Sequence, residues 1–219
     1  MKNLTDLMNE RFACKVFLDE GPINDADLKL ILEASNLAPT AFGIDQCRVI
    51  VYRTKEGKDQ FNPYLKMGNE IRVSTSSAFI IYVGQTKEAL FANDEEVIKR
   101  NTPYFDFTTE KLKPFHDSLL ASYAHPEGRA EFYDIIAVSN KSSYMTLKAK
   151  ELGYDSVIMT GLDQVGMTEY LKSKNLLING ERVVLACAIG HADMKNYKNV
   201  RQSGTKNRVP YDVFATIID

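Results

Sequence analysis

Arg11-Phe12-Ala13-Cys14-Lys15-Val16-Phe17 places two permanent cations four residues apart, and Lys206-Asn207-Arg208 places two more near the other end of the chain. Side chains of an extended segment alternate between faces. Residues 11, 13 and 15 would therefore share one face, with Arg11 and Lys15 leaving the backbone roughly 13 Å apart. Arg presents a planar fork suited to a phosphate, and Lys a compact point charge. Together these four cations suit an elongated ligand carrying negative charge at both ends. A solvated basic surface is the alternative that spacing alone leaves open. Cys14 falls on the opposite face and is expected to pack rather than react.

Little else in the chain suggests chemistry. A serine hydrolase would need a Gly-x-Ser-x-Gly elbow, and none occurs. No Gly-x-Gly-x-x-Gly follows a strand, so a resident dinucleotide is not expected. The three histidines, His116, His125 and His191, lack metal-ligand spacing, and the cysteines Cys14, Cys47 and Cys187 form no Cys-x-x-Cys pair, so neither a metal site nor a disulfide framework is expected. A net charge of −2 argues against a general nucleic-acid binder, which needs basic excess to displace counterions. Residues 1–7 turn polar too soon for a signal peptide, and no apolar run approaches the ~20 residues that span a bilayer. The expected location is the cytoplasm, with reduced thiols.

The elements that must position the cations follow from pattern. At 44% hydrophobic and 26% charged, the 219 residues have ordinary globular composition, and without a linker or repeat they read as one domain, 1–219. Asn24 looks like a cap, and Leu28, Ile31, Leu32, Ser35 and Ala38 then follow helical spacing up to Pro39. Val49–Tyr52 reads as a short strand, Thr54–Gly57 as the start of a polar connection, and Ala78–Val83 as a second strand. Between Thr86 and about His125 there are helical pieces near 94–98 and 111–112, punctuated by Pro103 and Pro114. From Glu131 to Leu152 there is neither proline nor glycine, and apolar residues recur on a helical period. Its small polar centre (Ser139, Asn140, Ser142, Ser143) permits close approach of another element, and Gly153 provides the stop. Ser156–Thr160 and Arg182–Ile189 complete the strands.

In order along the chain, Arg11-x-x-x-Lys15-x-Phe17, Leu37-Ala38-Pro39-Thr40-Ala41-Phe42-Gly43, Asn69-Glu70-Ile71-Arg72, Gly153-Tyr154-Asp155-Ser156-Val157 leading into Thr160-Gly161, and Lys206-Asn207-Arg208 resemble the motifs of the FMN-dependent nitroreductase family. The resemblance implies an α+β fold, a sandwich with a mixed central sheet flanked by helices, built as an interlocked homodimer with FMN at the interface. Flavin mononucleotide meets the charge description above, with a phosphate at one end and, once reduced, negative charge at the N1 edge of its ring. The implied cofactor-binding set is Arg11, Phe12, Ala13, Lys15, Pro39, Thr40, Ala41, Gly43, Asn69, Arg72, Met159, Thr160, Gly161, Lys206 and Arg208. Within it, Arg11, Lys206 and Arg208 would meet the phosphate, and Lys15, Asn69 and Arg72 the polar edge of the ring and ribityl chain. The turn from Pro39 to Gly43 would reach the flavin of the opposite subunit, and the backbone at Thr160 and Gly161 would face N5.

What the resemblance implies about activity is reduction of nitroaromatics, quinones or similar electrophiles with NADH or NADPH, by a ping-pong mechanism. No protein side chain need be catalytic, because the cofactor carries the hydride. Three departures from the family pattern stand out. Ala13 replaces a usual Ser or Thr hydroxyl, Asp45-Gln46-Cys47 replaces a common Gln-Pro-Trp, and Thr160 stands where many members have Glu. The first two motivate an alternative, a protein that stores or senses flavin with little turnover.

Overall fold

The strand β2, Ala78–Gln85, is buried along its entire length, and its side chains divide between two cores. Phe79, Ile81 and Val83 pack on one face, Ala78, Ile80 and Tyr82 on the other. Such a strand needs apolar cover on both sides, which is why its sequence is a continuous apolar run. The computed structural model that gives this architecture describes residues 3–41, 45, 47–86, 89, 114, 117, 121, 129–178 and 180–218. The helical pieces expected near 94–98 and 111–112, and Gly43, lie outside the described residues.

In chain order the elements are α1 (Leu4–Glu10), α2 (Asp25–Asn36), β1 (Arg48–Tyr52), α3 (Lys55–Asp59), α4 (Asn69–Ser74), β2, α5 (Arg129–Glu151), β3 (Asp155–Met159), α6 (Gln164–Ser173), β4 (Glu181–Gly190), α7 (Tyr197–Ser203) and α8 (Tyr211–Phe214). The strands lie in the order β1-β2-β4-β3, and every neighbouring pair is antiparallel. The expected mixed sheet is thus corrected for the described strands: the parallel component is one bridge, Ala13 with Ser156. That bridge joins an extended segment rather than a strand, so it adds no crossover. The α+β class stands, with helices on both faces. Ile31 of α2 and Val138, Met145 and Ala149 of α5 cover one face, while Met167 and Leu171 of α6, with Phe61 and Val73, cover the other.

Local chemistry explains the boundaries. Asn24 accepts a hydrogen bond from Asp27 N at 2.8 Å and starts α2. Thr54, expected to open a polar connection, instead caps α3 by accepting from Gly57 N at 3.1 Å. The small polar centre of α5 does admit a neighbour: Ser35 Oγ of α2 donates to Lys141 O at 3.0 Å and meets Tyr82 OH at 2.7 Å. Between β2 and β4 the register shifts at Tyr82/Val83, leaving Val184 as the extra residue of a bulge. Beside it lies Gly84, where an added Cβ would overlap the Asp134 carboxylate of α5, 2.7 Å from its Cγ.

Candidate cofactor site

Residues 11–17 alternate as the sequence requires. Arg11, Ala13 and Lys15 are half-buried, whereas Phe12, Cys14 and Phe17 enter the core. The segment starts where α1 ends, with Arg11 N donating to Leu7 O at 2.9 Å. It is then pinned on three sides. Cys14 N donates to Ser156 O of β3 at 3.1 Å, Phe17 N to Thr75 Oγ1 beyond α4 at 3.0 Å, and Leu18 N to His191 O at 2.7 Å. Phe12 and Met159 are core side chains, so of these two expected contacts only the backbone is left to face a ligand.

Two groups of cations gather along this segment. At one end are Arg11, Lys206 and Arg208: burial, then the nearby Arg208, holds Arg11 below its ordinary pKa. Lys206 is likewise lowered, by burial first and then by Arg11, Arg208 and Lys150. At the other end Lys15 is lowered by burial and by Arg72. Among the described residues, none of Arg11, Lys15, Lys206 and Arg208 has a carboxylate within ion-pair distance. Like charges held together and partly desolvated create a field that an anion would relieve. Lys206 does not stand free: its ammonium donates to Met8 O and Asn9 O, the exposed carbonyls at the end of α1.

Asn69 opens α4 without capping it. Gly68, at φ 76°, takes the N-cap position of α4, and the Asn69 side chain reaches across to donate to Gly161 O at 2.8 Å while accepting from Arg72 Nη1. Lys66 N also donates to Gly161 O, at 3.0 Å. Gly161 is therefore a docking glycine: a Cβ there would lie 3.1 Å from Asn69 Nδ2, 3.2 Å from Met67 Sδ and 3.3 Å from Lys66 O. Met67, at φ 62°, is thrown outward beside it, 84% exposed. Thr160 is exposed and its carbonyl accepts from Leu162 N at 2.9 Å.

The turn Pro39-Thr40-Ala41 lies at the end of α2, where Pro39 O accepts from Asn140 Nδ2 of α5 at 3.3 Å. One departure from the family pattern gains a structural role here. Asp45 pairs at 3.1 Å with Lys141, an α5 ammonium whose side chain is only 4% exposed, and so neutralises it. Lys150, which the sequence did not single out, lies 5.9 Å over the Phe12 ring and pairs with Asp155 at 2.9 Å. Its position in the last turn of a long helix gave no signal of that proximity.

Cys14 is fully buried, and burial pushes its thiol up to about 12. The expectation that it packs rather than reacts predicts a chemical result. Iodoacetamide at pH 8 should leave Cys14 unmodified in the folded protein and alkylate it on unfolding, as mapped by peptide mass spectrometry. Labelling of folded protein at Cys14 would show the segment open.

FMN fits this site on the structure's own terms. Arg72 Nε is buried without a hydrogen-bond partner, an orphaned donor beside Asn69 and Lys15. The cation group at the far end lacks anionic partners among the described residues. Charge at both ends and a donor left over at the Lys15 end match the donor set that a phosphate and a ring edge require.

Comparison with known proteins agrees. The chain is 22% identical over 204 residues to the oxygen-insensitive NADPH nitroreductase of Helicobacter acinonychis (strain Sheeba), covering 93% of this chain and 91% of that one. The crystal structure of a nitroreductase family protein from Streptococcus pneumoniae TIGR4 superposes with a TM-score of 0.78 at 20% identity, covering 99% and 100% of the two chains. A protein from Exiguobacterium sibiricum 255-15 solved in complex with FMN gives a TM-score of 0.76 at 20% identity, covering 100% and 98%. The profile of the Nitroreductase family matches residues 8–191, and the chain belongs to that family.

Proposed function

We propose that this protein is an FMN-dependent oxidoreductase that takes hydride from NADH or NADPH and delivers it to a nitroaromatic, quinone or related electrophile by a ping-pong mechanism. The observation that carries the reading is the pair of cation groups joined by one extended segment, with the buried Arg72 Nε unpartnered at the Lys15 end. When bound, FMN supplies the hydride chemistry, holding two electrons between successive visitors. The chain's own residues bind and orient. Arg11 and Arg208 offer bidentate donors to the phosphate, and Lys206 adds charge there while holding α1. Arg72 and Asn69 present donors to the polar edge, and Lys15 places a cation near N1, where negative charge gathers on reduction. Thr160 and Gly161 present backbone at the N5 edge. No side chain is asked to transfer a proton during the hydride step.

The test is spectroscopic. Purified protein should be yellow with about one FMN per chain and should prefer FMN to FAD, because an adenylate would collide with the Arg208 end. Without air, NADH or NADPH should bleach the flavin band and an added quinone restore it. Initial-rate plots at several quinone concentrations should give parallel lines. Protein that takes up no FMN would end the proposal, and protein that binds FMN but does not bleach would favour flavin storage or sensing.

The working unit of this reading is a homodimer with the turn from Pro39 onward completing the partner's site. Its support is an uncovered apolar tail: Val209, Tyr211, Val213, Phe214, Ile217 and Ile218 are all at least 60% exposed. Deleting residues 209–219 should give a monomer by light scattering and release FMN. A truncated monomer that keeps FMN at unchanged affinity would contradict the shared site.

A further inference from the structure

One side chain holds the backbone of residues 14–16. Asn199 of α7 has no exposed surface. Its Oδ1 accepts from Lys15 N at 2.7 Å and from Val16 N at 3.4 Å, and Cys14 Sγ approaches it at 3.6 Å. Its Nδ2 donates to Val16 O at 2.6 Å and to Asp193 O at 2.9 Å. A carboxamide offers one acceptor and two donors without charge, and here all of that capacity is used on main chain. Had α7 only needed to fill space against residues 14–16, an apolar residue would serve without taking polar groups into burial.

The two ends of this arrangement carry different halves of the cation set. Lys15 lies within the clamped backbone and Arg11 just before it, and the chain beyond α7 leads to Lys206 and Arg208. The other ties of the segment lead to β3, to the residue after α4, to His191 and to Asp193, whose N donates to Val16 O at 3.0 Å, whereas Asn199 ties it to α7 across 184 positions of sequence.

We propose that Asn199 is a positioning residue that fixes the Arg11–Lys15 segment against α7, so that the N-terminal and C-terminal cations grip one FMN and Lys15 stays at the ring edge. This rests on the FMN reading given above. Removing the carboxamide leaves Lys15 N and Val16 N without partners and takes one donor from Val16 O, which keeps Asp193 N at 3.0 Å, and the segment must shift to rehydrate the two amides. Both the phosphate grip and the placement of Lys15 change together.

Asn199→Ala should bind oxidised FMN about 10-fold or more weakly, measured by quenching of flavin fluorescence. At saturating FMN its midpoint potential should also fall, because a displaced Lys15 favours the reduced form less. A residue that served folding alone would lower the melting temperature of the apoprotein yet leave the saturated flavin at the wild-type potential, and that outcome overturns the proposal. Wild-type protein supplies a second measurement that needs no variant. On adding FMN, amide exchange at Lys15 and Val16 should slow in step with exchange across α7. Protection of the segment with α7 unchanged would equally overturn it. Wild-type protein that binds no FMN would instead remove the reading on which the inference stands.

Discussion

Arg208→Ala should weaken FMN binding by about 10–150-fold, because a charge-assisted bidentate donor is worth roughly 1.5–3 kcal/mol. Activity with a quinone should return when excess FMN is added, since the variant lacks only grip. Lys15→Ala should behave in the opposite way. Lys15 belongs with Arg72 rather than with the Arg11, Lys206 and Arg208 group, so on the reading proposed above its charge would act on the ring end, where the negative charge of the reduced flavin would reside. The variant should keep most of its affinity for oxidised FMN, show a lower flavin potential, and stay slow at any FMN concentration. If excess FMN fully restores both variants and the potential of Lys15→Ala matches wild type, Lys15 is another phosphate anchor and the division of the site into two ends is wrong.

Gly84→Ala should cost at least about 3 kcal/mol, the upper end of the range for overpacking a core. The added methyl group overlaps the Asp134 carboxylate and comes within 3.0 Å of Val184 Cγ2, at a bulge in the middle of the sheet. Neither neighbour yields easily. Asp134 has no exposed surface and lies 3.4 Å from Arg182 Nη2, so displacing its carboxylate also disturbs that pairing. For a chain of this length the melting temperature should drop by about 6–12 °C in scanning calorimetry. Gly84→Ala should cost less in an Asp134→Ala background than in wild type, since the overlapping carboxylate is then gone. A Gly84→Ala protein that melts like wild type would mean that α5 moves aside without penalty.

The four strands could be read from the chain because each is a short apolar run, and β2 and β4 are buried on both faces. The long helix was equally legible, since its pattern runs without a breaker from Glu131 to Leu152 and the observed α5 spans Arg129–Glu151. Thr54 was misread because α3 is five residues long, too short for a period, although a Thr three residues before a free backbone N–H is a cap in miniature. The site cations were visible as residue types. Their arrangement was not, because it depends on contacts between distant parts of the chain. Whether Asn69 capped its own helix or reached Gly161 was decided by Gly68 taking the cap and by a partner 92 positions away. Asn199 carried no signal at all, as one polar residue in a short helix looks like any solvated one.

The bonds from Lys206 to Met8 and Asn9 bridge 198 and 197 positions of sequence. In a growing polypeptide this has a temporal meaning. All pairings of the four strands are complete once residue 190 is available, so the sheet can assemble while synthesis continues. The cation group cannot, because Lys206 and Arg208 follow the last strand in the chain. The end of α1 likewise waits for its ammonium until residue 206 has been added. A polypeptide ending at Gly190 would contain all four strands but neither Lys206 nor Arg208, so on the reading proposed above its grip on a phosphate would rest on Arg11 alone.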